Sequence, residues 1–112
     1  IYGDYDVDGI TSVSFLYLLL KELGANISYY IPDRQAEGYG LSDKGIEEAK
    51  NRQVDLIVTV DCGITGHAEI NLAKAAGIDV IVTDHHEPSL TIPDAVAVVD
   101  PKRRDCEYPF KQ

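Results

Sequence analysis

Three acidic clusters, each just past a short apolar run, hold the residues of this sequence best suited to chemistry. They are Asp4-Tyr5-Asp6-Val7-Asp8-Gly9, Asp61-Cys62-Gly63 and Asp84-His85-His86. Residues leaving the carboxyl ends of neighbouring parallel strands converge on one crevice. The carboxylates of Asp4, Asp6, Asp8, Asp61 and Asp84 would repel one another there unless cations sat among them. Neutral imidazole is a common ligand for transition metals, and its second ring nitrogen is often held by a carboxylate. Adjacent histidines leaving a strand can diverge, so that one takes a metal while the other meets a substrate oxygen. A metal centre is the leading inference.

Strands must deliver these clusters, and the apolar runs supply them. Ile1-Tyr2, residues 55–60 and residues 78–83 read as buried strands ending at the acidic residues. Between them Thr11 and Ser12 can cap a helix running to about Leu23. Its apolar residues cover more than one face, so it is expected to pack against a sheet, and Gly24 suits its stop. Ile27 to Ile31 is β-branched and aromatic and halts at Pro32; residues 32–41 read as a loop. Ser42 caps a charged helix to about Arg52, and a third helix runs from about His67 to Ala76, closed by Gly77. A last apolar run, Ala95 to Val99, ends at Asp100-Pro101. Strands separated by helices of this length imply right-handed crossovers. The expected fold is α/β, an open, mainly parallel sheet of about five strands with helices on both faces.

Composition narrows the function classes. With 112 residues, 45% of them hydrophobic, the chain is one soluble globular domain at most. No apolar run reaches membrane-spanning length and nothing resembles a secretion signal. The chain starts without Met and inside a strand, so it reads as an excerpt of something longer. A net charge of −9 argues against a general basic surface for nucleic acid, although bound divalent ions would offset part of the excess. Cys62 and Cys106 form no C-x-x-C pair and read as reduced, intracellular thiols, which implies a cytoplasmic location.

Each motif has competing readings. D-x-D-x-D-G also opens a calcium-binding EF-hand loop, but the Glu that loop needs at its twelfth position is Phe15 here. Asp6-Val7-Asp8-Gly9 resembles the nucleophile loop of haloacid-dehalogenase-type phosphatases, which leaves the paired histidines unexplained. Asp61 alone could cap the next helix or accept a phosphoryl group in a receiver-type module. Arg34, in the loop with Glu37-Gly38-Tyr39-Gly40, suits bidentate phosphate recognition and equally an exposed polar loop. His67 reads as a surface residue and Asp100 as a turn. Lys102, Arg103 and Arg104 form the only basic run, a solvated turn or a modest phosphate contact.

Together these residues resemble a known family. Gly3-Asp4-Tyr5-Asp6-Val7-Asp8-Gly9-Ile10-Thr11-Ser12, Val60-Asp61-Cys62-Gly63 and Thr83-Asp84-His85-His86 resemble the first three motifs of the DHH phosphoesterases. Ile31-Pro32-Asp33-Arg34, Glu37-Gly38-Tyr39-Gly40-Leu41 and Asp100-Pro101-Lys102-Arg103 are similar to its subgroup of single-stranded-DNA exonucleases. The resemblance implies two Mn²⁺ or Mg²⁺ ions, one held by Asp6 and Asp61 and the other by Asp8, Asp61 and His85. Asp61 would bridge them, with Asp4 at the rim as ligand or second-line partner. It further implies that His86 touches the scissile phosphate, Asp84 orients the histidines, and Arg34 meets the 5′-terminal phosphate of the DNA. The implied reaction is stepwise hydrolysis of single-stranded DNA from its 5′ end, in recombination and repair, with no membrane and no identified protein partner. A related enzyme of short oligonucleotides or cyclic dinucleotides shares the same clusters. Tyr2 stands where some relatives have a metal-binding His. Neither the family's fourth-motif Asp nor its second lobe lies within residues 1–112, so this DHH domain is expected to be partial and inactive on its own.

Overall fold

A computed structural model describes residues 1–111 of the chain. Its sheet has three parallel strands in the order β1 (Leu56–Val60), β2 (Asp79–Thr83) and β3 (Ala97–Val99). Leu56 pairs with Asp79 and Val60 with Thr83, while Ile81 pairs with Ala97 and Thr83 with Val99. The expected count of about five strands is corrected to three. The other two segments are extended beside β1 but share only single bridges, Tyr2 with Thr59 and Tyr2 with Tyr30. Tyr2 N–H donates to Val58 O at 2.9 Å and Gly3 N–H to Tyr30 O at 3.0 Å.

Alternation along the strands sorts the two faces. Ile57, Val80 and Val82 point to a core shared with Ile46 of α2 (Asp43–Asn51) and Ile70 and Ala73 of α3 (His67–Ala75). Helix α1 (Val7–Glu22) lies on the other face, where Val13 is its buried anchor beside Gly3 and Val60. Helices therefore do cover both faces of the sheet.

Helix α1 departs from the expectation twice. It begins at Val7 rather than Thr11, because Asp6 takes the N-cap and its carboxylate accepts Gly9 N–H at 2.9 Å. Gly9 is thus a helical residue, and it sits where a Cβ would come within 2.3 Å of Asp4 O. Only a bare Cα lets the helix start this close to the strand end. The helix is also less covered than its composition implies: Gly9 and Val13 are buried, while Phe15, Leu18 and Leu23 are exposed. Its strand neighbour is β1, which it meets through the stripe holding Val13.

Candidate metal centre

Register places four aspartates side by side. Asp61 lies one residue past Val60, Asp84 one past Thr83 and Asp100 one past Val99. Asp4 lies two past Tyr2, as Asp61 lies two past its bridge partner Thr59. Backbone bonds carry the register beyond the strands, with Asp61 N–H on Thr83 O and Asp84 N–H on Val99 O, both at 3.0 Å. The exposures of Asp4, Asp61, Asp84 and Asp100 are 2%, 7%, 8% and 2%. Carboxylates so deeply buried need partners.

Asp84 is fully partnered. Its Oδ1 accepts His85 N–H at 2.7 Å and His86 N–H at 3.2 Å, and lies 2.6 Å from His86 Nδ1. Its Oδ2 accepts Ile64 N–H at 3.0 Å, which ties the β2 end to the loop before α3. An ionised carboxylate only accepts, so His86 Nδ1 carries the hydrogen and Nε2 is left free. Tyr39 Oη, 2.9 Å from the same Nδ1, donates to Asp61 O at 3.3 Å. Both imidazoles are partly open to solvent.

Asp61 is not fully partnered. Its Oδ1 lies 2.7 Å from His85 Nε2, yet its buried Oδ2 has no protein partner. Its backbone is held at φ 60°, in the left-handed region that non-glycine residues seldom enter, although Asp tolerates it better than most. Such strain persists where the surroundings demand one side-chain direction. Asp4, Asp6 and Asp61 each offer an oxygen within 4.8 Å of the others, and Asp61, His85 and His86 do the same with their ligand atoms. Two three-residue groups thus share Asp61.

The electrostatics agree with a cation. Burial, with Asp6 alongside, pushes the Asp61 carboxyl above its ordinary range, although His85 opposes this. Burial likewise raises Asp4, and Asp6 and Asp84 add repulsion. Asp6 goes the other way, chiefly because Gly9 N–H binds its charged form. An unpaired buried oxygen, two carboxylates in contact and an imidazole are a donor set that Mn²⁺ or Mg²⁺ would satisfy. The residues fit the ion.

A pH test follows. Asp4, Asp61 and Asp100 hold protons more tightly folded than unfolded, where a carboxyl titrates near about 3.9. Through the window above that value the folded chain binds more protons, so its stability falls as pH rises. His86 contributes in the same sense: burial lowers it, but Asp84 outweighs burial and raises it, so its contribution is lost as pH climbs past the unfolded value of about 6.5. Without metal, thermal melts are expected to be higher near about pH 5 than near about pH 7, and saturating Mn²⁺ should reverse that order. A metal-free melting temperature that rises between those two pH values would contradict the site.

Other residues fall differently from the sequence reading. Asp4 is buried at the Tyr2 end of the row, beside Asp61. Asp8 sits exposed in the first turn of α1, lining an open cleft with Thr11, Ser12, Asp61 and His85, outside both tight groups. Arg34 is exposed on its turn with the guanidinium 5.4 Å from the Tyr5 ring, next to Asp4 and Asp6. His67 is half-buried rather than a surface residue, with an unpartnered Nε2. Asp100 is the residue that sequence reasoning misses. It reads as a turn, although an Asp after an apolar run is the same signal as Asp61 and Asp84.

Comparison with known proteins gives the arrangement its family. The DHH family, N-terminal domain, matches residues 1–108. The chain belongs to the DHH family. The single-stranded-DNA-specific exonuclease RecJ of Bacillus subtilis is 50% identical over 112 residues, which are all of this chain and 14% of that protein. The RecJ of Escherichia coli is 47% identical over 112 residues, 99% of this chain and 19% of its own length. Among solved structures, exonuclease RecJ bound to manganese superposes with a TM-score of 0.84 at 44% identity, over 93% of this chain and 26% of that one. RecJ from Thermus thermophilus in complex with Mn²⁺ gives 0.76 at 39% identity, over 95% and 15%. The chain therefore spans about one-seventh to one-quarter of these DHH relatives. No described helix is long and apolar enough to cross a membrane.

Proposed function

We propose that this DHH domain is the metal-binding part of an exonuclease that hydrolyses single-stranded DNA from its 5′ end, acting in the cytoplasm. The observation that carries the reading is Asp61. Its orphaned buried oxygen and its contact with His85 stand where the two ligand groups meet. Mn²⁺ or Mg²⁺ ions, two in the complete enzyme, would supply the activated water and the charge stabilisation that phosphodiester hydrolysis needs.

The chain's own residues do the rest. Asp4, Asp6 and Asp61 would hold one ion, with Asp61 and His85 holding the other and Asp8 reaching in from the helix start. Asp84 fixes His86 through Nδ1, leaving Nε2 to donate to a phosphate oxygen when the ring is protonated. Arg34 stands on the first-strand side of the row, suited to a terminal phosphate.

The test uses the intact protein of which these residues are part. With Mn²⁺, a long 5′-phosphorylated single strand should shorten progressively from that end, and chelation should stop it. Residues 1–112 alone should leave the strand intact. Preferential cleavage of dinucleotides or cyclic dinucleotides would overturn the long-strand reading.

A further inference from the structure

The basic run Lys102-Arg103-Arg104 follows β3 directly, and its three side chains have separate fates. Arg103 is committed internally. Its Nη1 donates to Val98 O at 2.6 Å, while Nε and Nη2 grip both oxygens of Asp105. Arg104 is exposed. Lys102 is half-buried and, among the described residues, forms no ion pair with a carboxylate.

Asp100 sets where Lys102 goes. Its Oδ1 accepts Lys102 N–H at 2.8 Å, and its carbonyl accepts Arg103 N–H at 3.2 Å. The chain must therefore turn back at once over the carboxyl end of β3. Asp100 stands beside Asp84 in the row, and Asp84 carries His86, so the turn keeps residue 102 against the β3 end of that row. Its charge reaches both His86 and Asp100. Arg34 follows the 27–31 segment at the opposite edge of the sheet. Counting the single bridges of Tyr2 as well as the two ladders, four backbone spacings, about 19 Å, lie between the 27–31 segment and β3. In a chain with a net charge of −9 and a row of buried aspartates, Arg34 near Asp4 and Lys102 beside Asp100 pair with no carboxylate among the described residues.

Resting on the exonuclease reading above, we propose that Lys102 is a phosphate-binding residue of the site. It takes a phosphodiester oxygen of the single strand at the β3 edge, while Arg34 serves the other edge. The nucleic-acid backbone then lies across the row of aspartates, and Asp100 is a positioning residue that presents the lysine. A bare ammonium suits this role as a point charge without bidentate geometry, so arginine should substitute for it in part.

Steady-state digestion of a single-stranded oligonucleotide by the intact enzyme with Mn²⁺ tests the proposal. Loss of one phosphate contact weakens binding evenly across sequences and lowers the salt slope for a single strand by about 0.7. Lys102→Ala is therefore expected to raise KM about fivefold to tenfold, with kcat within about twofold and a shallower dependence between roughly 50 and 200 mM salt. Lys102→Arg should restore most of the KM. Lys74→Ala, which removes the exposed Lys74–Asp94 pair at the end of α3, should change none of these. An unaltered KM and salt slope in Lys102→Ala, beside an active wild type, would overturn the lysine's role and leave the exonuclease reading standing. A lower melting temperature with unchanged KM would do the same, by showing a purely structural residue. A wild type that leaves single strands intact would sink both.

Discussion

Replacing Asp61 with Asn should abolish strand cleavage, with kcat at least a hundredfold lower, while the metal-free fold is as stable as before or more so. The two effects share one cause. Asp61 is the only residue common to both ligand groups, so its loss removes charge and an oxygen from each. A hundredfold is about 2.7 kcal/mol of barrier, within what a single electrostatic contact to a transition state supplies. Stability moves the other way because the buried Oδ2 lacks a partner and Asp6 crowds it. Neutralising an uncompensated buried charge relieves a cost. Asn is the informative substitution because, like Asp, it accepts the left-handed backbone at φ 60°, which Ala resists. Oligonucleotide digestion and metal-free thermal melts, run on the same preparations, check both halves. A variant that retains cleavage, or that melts well below wild type without metal, would contradict this account.

Asp84→Ala should fail differently, by loosening the fold at the site. Removing this carboxylate orphans Ile64 N–H, His85 N–H, His86 N–H and the His86 Nδ1 hydrogen together. A buried donor left without a partner costs about 1–3 kcal/mol, and losses within one network do not simply add. A destabilisation of about 3–5 kcal/mol is expected, comparable to breaking a buried charged pair by removing one member. Activity should fall as well, since both histidines lose their alignment. Chemical denaturation with and without Mn²⁺ provides the measurement. Metal should rescue little, because no ion replaces hydrogen bonds made to three backbone amides. Wild-type stability in Asp84→Ala would show that the loop before α3 holds itself.

The contrast between these aspartates tracks the limits of sequence reading. All three clusters lie at the ends of apolar runs, and the structure keeps them at the ends of extended segments. Ser42 caps α2 through Gly45 N–H, and Gly24 and Gly77 take positive φ just past their helices. These are local signals, decided within a few residues. The start of α1 is harder to place because Asp6, several positions before the first hydroxyl candidate, is also a good cap. A residue with two possible jobs cannot be assigned by its neighbours. The strand count comes out too high for a similar reason, since an apolar run shows readiness to pair but not whether pairing goes beyond a single bridge.

Asp100 marks the boundary most clearly. It has the same local signature as Asp61 and Asp84, yet its place in the row is visible only with Thr83 opposite Val99. By itself the sequence determined which side chains could bind a cation and at which strand ends they stand. The tertiary structure alone decided that Asp4, Asp61, Asp84 and Asp100 form one row, that Asp84 is satisfied and Asp61 is not, and that the Lys102 backbone is tied to Asp100. Residue type and order are carried by each segment separately. Burial and hydrogen-bond partnership are set by register between strands, which no single segment contains.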